Sequence, residues 1–135
     1  MSFQVLNPES MGGAPKGWNN GMLAPAGGRI LFVAGQTGRD RSGKVPANGF
    51  VDQWAQALDN VLAVVREAGA GPDSIGRMTV YVTDRMAYLN NLKPLGEVWR
   101  KRMGKHYPAM ALVEVRALVD PNAVVEIEAT AVIEG

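Results

Sequence analysis

Apolar and polar residues follow two periods along this chain, and each predicts a different kind of element. Between Phe50 and Ala68 the apolar positions are 50, 51, 54, 58, 61, 62 and 65, the spacing of a helix with one buried face. Asn48 is the expected cap before it, and the GAGP at 69–72 stops it. The segment RMTVYVTD, residues 77–84, alternates instead, with Met78, Val80 and Val82 on one side of a strand. Residues 109–118 and 123–133 alternate as well, and the DPN turn between them predicts a closing hairpin. An earlier hairpin is expected in GMLAPAGGRILFVAGQ, with Met22 and Leu23 in one strand, a turn at Gly27-Gly28, and a strand from Arg29 to Ala34. Residues 7–21 and 38–49 read as loops. In 85–104 a helical pattern is interrupted by Pro94, which favours a first helical position. A short turn or helix near 86–91 is therefore expected, then a helix from Pro94 to Met103.

The resulting order is hairpin, helix, strand, helix, hairpin. It predicts one α+β domain over residues 1–135, a mixed sheet backed by two helices. Two helices cover only one face of a sheet. Ala111, Val113 and Val115 with Val125, Ile127 and Ala129 make the expected covered face. Met110, Leu112 and Glu114 with Val124, Glu126 and Glu128 make the other. That second face is apolar at one end and acidic at the other, so the chain is expected to oligomerise through its sheet and leave clefts near Met110.

Composition narrows the function. Hydrophobic residues make up 47% and charged residues 20% of the 135, as in an ordinary globular protein. A net charge of +1 gives no field to attract nucleic acid or an anionic membrane. The absence of cysteine excludes disulfides, thiolate metal sites and a cysteine nucleophile. No apolar run approaches the length of a membrane span, and MSFQVLNPES does not read as a signal peptide. A cytoplasmic enzyme or binding protein is the default expectation.

Most catalytic signatures are missing. His106 is the only histidine, which rules out a histidine metal cluster and leaves it as an expected loop residue. GRDRSGKV, residues 38–45, has the glycine and lysine spacing of a phosphate-binding loop. Val45 stands where a hydroxyl is required, however, and Pro46 follows, so a solvated turn is expected. The basic run WRKRMGK spreads around a helix and reads as a solvated surface, with nucleic-acid binding not expected. The carboxylates remain. Glu114, Arg116 and Glu128 are expected to form a structural ion-pair network between the last two strands. Glu126 beside Met110, Leu112 and Val124 would be partly desolvated, and so suited to hold or donate a proton.

The segments AGGRILFVAGQTG, QALDNVLAVVREAGA, MTVYVTD and YPAMALVEV with VEIEATAVI resemble, in order and near spacing, the Rid (YjgF/RidA) family of reactive-intermediate deaminases. The resemblance covers roughly residues 17–133. It implies a chorismate-mutase-like α+β fold assembled as a homotrimer, with a central barrel of sheets and three clefts between subunits. It implies hydrolysis of imines or enamines released by pyridoxal-phosphate enzymes, to a keto acid and ammonia, with no metal or organic cofactor. In deaminating members the strand opens Pro-Ala-Arg, and the arginine grips the substrate carboxylate. Here Met110 stands at that position, and Trp18 stands where the family has a tyrosine. The glycine of the GQ motif is kept as Gly35, and the glutamate thought to position or protonate the attacking water is kept as Glu126. Methionine cannot replace a guanidinium. A cleft lined by Trp18, Met110 and Leu112 would instead favour a larger, flatter or more apolar ligand than small amino-acid-derived imines. Three roles follow: a hydrolase of an imine, enamine or related conjugated intermediate lacking a clamped carboxylate, a non-catalytic trimeric binder of a small aromatic or apolar metabolite, or a trimer that mainly contacts another protein. Nothing in these residues points to a ribonuclease.

Overall fold

A computed structural model of the chain describes residues 3–134. Two short strands, β1 (Gln4–Leu6) and β2 (Gly21–Leu23), pair antiparallel with each other. They precede β3 (Arg29–Thr37), α1 (Phe50–Glu67), β4 (Ile75–Val82), α2 (Arg85–Leu89), α3 (Leu92–Met103), β5 (Ala109–Glu114) and β6 (Val125–Ile133). The main sheet has the order β3-β6-β4-β5. Only the β4–β5 pair is parallel. A parallel neighbour needs a crossover, and α2 with α3 supplies it.

The helix-side core matches the periodicities of α1 and β4. Trp54, Ala57, Leu58, Val61, Leu62 and Val65 form the buried stripe of α1. They face Met78, Val80 and Val82 of β4, Val125, Ile127 and Ala129 of β6, and Leu95, Trp99 and Met103 of α3. A side chain such as Leu58 or Leu62, fully buried, contributes about 1.5–3 kcal/mol.

Several expectations are corrected. The first hairpin does not form: β2 pairs with β1, whereas β3 lies against β6. The closing hairpin does not form either, because β4 is inserted between β5 and β6. The two strands are also shorter than the alternation suggested, and residues 115–124 connect them. The N-cap position of α1 is Gly49, which makes no side-chain cap, rather than Asn48. Helix α3 begins at Leu92, two residues before Pro94. Proline is tolerated there because first-turn N–H groups have no intrahelical acceptor to lose.

The faces of β5 are reversed from the expected assignment. Parallel pairing sets Met110 beside Met78 and Leu112 beside Val80, so both side chains pack on the helix side. Ala111 and Val113 turn outward with Thr79, Tyr81, Glu126 and Glu128. An uncovered apolar sheet face does exist, but Phe32 (78% exposed), Ile30 (62%) and Val113 (42%) carry it rather than Met110, Leu112 and Val124. The expected network of Glu114, Arg116 and Glu128 is not formed, since Glu114 and Glu128 lie on strands separated by β4. Glu114 accepts from the Arg85 backbone N–H at 2.8 Å, and Glu128 accepts from the Tyr81 hydroxyl.

Candidate functional site

The sequence-predicted residues fall into two groups at different places on the sheet. Trp18, Met110 and Leu112 line one cavity of about 430 Å³ on the helix side, between α2, α3 and β5. Gly35 and Glu126 meet on the opposite face. Glu126 is two strands from Met110, roughly 10 Å at the usual strand spacing, and does not enter the cavity.

Trp18 reaches the cavity because a chain of amides fastens its loop to the outer edge of β5. The Asn19 backbone N–H donates to Pro108 O at 3.2 Å, and its side-chain Nδ2 donates to Tyr107 O at 2.6 Å. Asn7 Nδ2 donates to Asn19 Oδ1 at 2.9 Å, while Asn7 Oδ1 accepts from the Asn20 backbone at 2.8 Å. Asn19 thereby forms a parallel bridge to Ala109, one residue from Met110.

The other walls were not anticipated from sequence. Trp54 from α1, Tyr88 from α2, Trp99 from α3 and Tyr107 before β5 converge here. Trp99 is oriented by its indole N–H, which donates to His106 O at 3.1 Å. His106 is itself a structural residue, its Nε2 lying 2.7 Å from Ile75 O. One available signal was overlooked: Leu92, Gly96 and Arg100 recur every four residues, so they share a face of α3, and all three line the cavity. No carboxylate or histidine lines it.

The second group is built by a backbone irregularity. A bulge between Val33 and Gln36 interrupts the β3–β6 register and presents Gly35 to Glu126. A Cβ at Gly35 would overlap the Glu126 carboxylate, so the missing side chain is what gives that carboxylate its position. Across β6, Glu126 pairs with Tyr81 in register, not with the apolar trio Met110, Leu112 and Val124 expected around it. The hydrogen bond to Glu128 holds the Tyr81 phenol above its ordinary pKa. Loss of hydration and the charges of Glu128 and Glu126 act in the same direction, while Arg77 opposes them. This face gathers half-buried acids and a phenol beside backbone free of side chains, a setting able to hold a water and pass a proton.

The remaining motifs are structural. GRDRSGKV forms a turn around Asp40, whose Oδ1 accepts from the Ser42 hydroxyl at 2.6 Å and backbone N–H at 2.9 Å. Among the described residues no His, Asp and Glu side chains group into a metal site, and no helix is long and apolar enough to cross a membrane.

Comparison with known proteins agrees with this architecture. The sequence profile of the family described as Endoribonuclease L-PSP matches residues 14–133. A RutC family protein of Pyrococcus horikoshii is 33% identical over 119 residues, which is 87% of this chain and 90% of that one. The human 2-iminobutanoate/2-iminopropanoate deaminase is 29% identical over 105 residues, covering 77% of this chain and 73% of its own. A crystal structure of a Rid family protein of unknown function, YyfB from Yersinia pestis, superposes with a TM-score of 0.84 at 30% identity, covering 98% of this chain and 100% of that chain.

Proposed function

This chain belongs to the Rid (YjgF, endoribonuclease L-PSP) family, which includes reactive-intermediate deaminases, and from that premise we propose that it hydrolyses an imine, enamine or related conjugated intermediate. Its best substrates are larger and flatter than the small amino-acid-derived imines, because Met110 offers no charge to a carboxylate beside the reacting carbon. The observation that carries the reading is the Glu126 carboxylate set against Gly35 on the open sheet face.

In the proposed reaction Glu126 accepts a proton from a water as its oxygen bonds to the imine carbon. The substrate reacts as its N-protonated iminium, so the π electrons of C=N pass to the cationic nitrogen and give a neutral carbinolamine. Glu126 then returns its proton to the amine, the C–N bond breaks as ammonia leaves, and the hydroxyl proton passes to solvent, leaving a carbonyl compound. No metal or organic cofactor is required by these steps.

The apolar cavity and Glu126 are too far apart in one copy to share a small molecule. The proposal therefore includes a homotrimer in which the cavity edge of one copy approaches Gly35 and Glu126 of the next. The uncovered Ile30, Phe32 and Val113 support that assembly, since such a face is normally buried against a partner. Light scattering should give about three times the chain mass of 14.5 kDa. Glu126→Gln should keep that assembly and abolish the acceleration, above the spontaneous rate, of ammonia release from an arylalkyl imine generated in place by an amine oxidase. A monomer, or turnover that survives Glu126→Gln, refutes the proposal. A second reading, a trimeric binder without turnover, is favoured by the lack of any carboxylate or histidine in the cavity wall. Ligand binding by a wild type that releases no ammonia would select it.

A further inference from the structure

The cavity beside Met110 holds an unusual concentration of aromatic surface around a single charge. All three tryptophans of the chain, Trp18, Trp54 and Trp99, line it together with Tyr88 and Tyr107. Two of its walls are near-parallel ring pairs. Trp54 and Tyr88 have centroids 5.7 Å apart at 24°, and Trp99 and Tyr107 lie 5.9 Å apart at 6°. Such surfaces favour a flat π-system over a branched aliphatic one. The volume of about 430 Å³ falls within the range of small-molecule sites.

Arg100 is the only charged residue in the lining. Among the described residues its guanidinium has no carboxylate or hydrogen-bond partner. Gly96 lies one turn earlier on the same face of α3, and a Cβ there would sit in ordinary contact, 3.5 Å, with Arg100 Nη1, so the guanidinium folds back along the helix beside the cavity.

An aromatic box without Arg100 would suit a cation, but the guanidinium repels one. A neutral ligand would leave Arg100 unused. We propose that this cavity binds a flat, aryl-conjugated carboxylate, its rings against the tryptophan and tyrosine faces and its carboxylate on Arg100. The inference rests on reading Trp18, Met110 and Leu112 as the ligand-binding part of the proposed site. It moves anion recognition from strand position 110 to helix position 100, at a distance from the reacting carbon.

The test uses three probes of one shape and different charge: trans-cinnamate, cinnamamide and cinnamylamine, titrated calorimetrically into the intact protein. Cinnamate should bind once per chain and perturb the intrinsic fluorescence, since every tryptophan lies in the wall. It should bind roughly tenfold or more tighter than the amide, as expected for one charge-assisted hydrogen bond. Arg100→Gln should erase that preference and leave amide binding in place; the position is exposed, so the fold tolerates it. Equal or tighter binding of the amide or amine, a preference that survives Arg100→Gln, or no binding of millimolar cinnamate each overturns the inference. Cinnamate binding without imine turnover keeps the inference and removes the hydrolase reading. Turnover without cinnamate binding does the reverse.

Discussion

Gln53 is the buried polar residue of α1, 1% exposed, and its loss gives the sharpest stability test. Its Nε2 donates to Pro46 O at 3.3 Å and to Asn122 O at 3.0 Å, and its Oε1 accepts from the Val124 backbone N–H at 2.9 Å. One amide thus joins α1 to the loop before it and to the chain entering β6. Gln53→Leu keeps the approximate volume and removes all three bonds. The Val124 N–H is left half-buried without its acceptor, which costs about 1–3 kcal/mol. Pro46 and Asn122 are exposed and recover water, so each lost bond there costs about 0.5–1 kcal/mol. Burying leucine offsets about 1 kcal/mol, for a net loss of about 1–4 kcal/mol. At this chain length that lowers Tm by roughly 3–15 °C. Calorimetry or urea unfolding measures it, with Gln56→Leu as the control, because Gln56 Nε2 donates only to Asn60 Oδ1 on the same helix. A fall in Tm under about 2 °C, or one matched by the control, would refute the accounting. Val124 lies two residues before Glu126, so a turnover defect larger than the unfolded fraction explains would show that the clamp also positions the acid.

Three further outcomes are expected. Wild-type protein should hydrolyse 2-aminoacrylate or 2-iminobutyrate poorly, and Met110→Arg should gain affinity for such carboxylates, by up to about 1.5–3 kcal/mol, more so when combined with Trp18→Tyr. Rates in the wild type comparable to those of an arginine-bearing relative would remove the reasoning from Met110. Tyr81 should ionise above about 10, the usual phenol value, read as the difference in ultraviolet titration between wild type and Tyr81→Phe. Because the folded state holds that proton more tightly, the contribution to stability is complete below the unfolded pKa and is lost as pH rises through the folded one. A difference midpoint at or below the ordinary value would contradict the Glu128 hydrogen bond.

How much of this was readable in advance depended on how far apart the determining residues lie. The stripe of α1 and the alternation of Met78, Val80 and Val82 are local periodicities with strongly unequal faces, and both elements form as expected. Residues 109–113 carry small or apolar side chains on both faces, so period two alone does not say which face is covered or which strand is the neighbour. The parallel register with β4 decides both, and it reverses Met110 and Leu112. The candidate site was partly legible. Within one copy Trp18, Met110 and Leu112 share a cavity and Gly35 lies against Glu126, while the single cleft expected to hold all five is one that only neighbouring copies can form together. Tyr88 and Tyr107 join Trp54 and Trp99 only through tertiary packing, and no spacing announces that.

The amide strap from Asn7 through Asn19 has a consequence beyond delivering Trp18. A sheet with two bare edges can add strands from other molecules at either end, and such head-to-tail addition propagates into fibres unless rotation closes a ring. By spending backbone and side-chain bonds on Tyr107, Pro108 and Ala109, the loop covers the start of the β5 edge within the molecule itself. The opposite edge is β3, where the bulge at Gly35 breaks the regularity of the strand. The same asparagines that shape a ligand cavity therefore also shorten the stretch of edge open to strand addition.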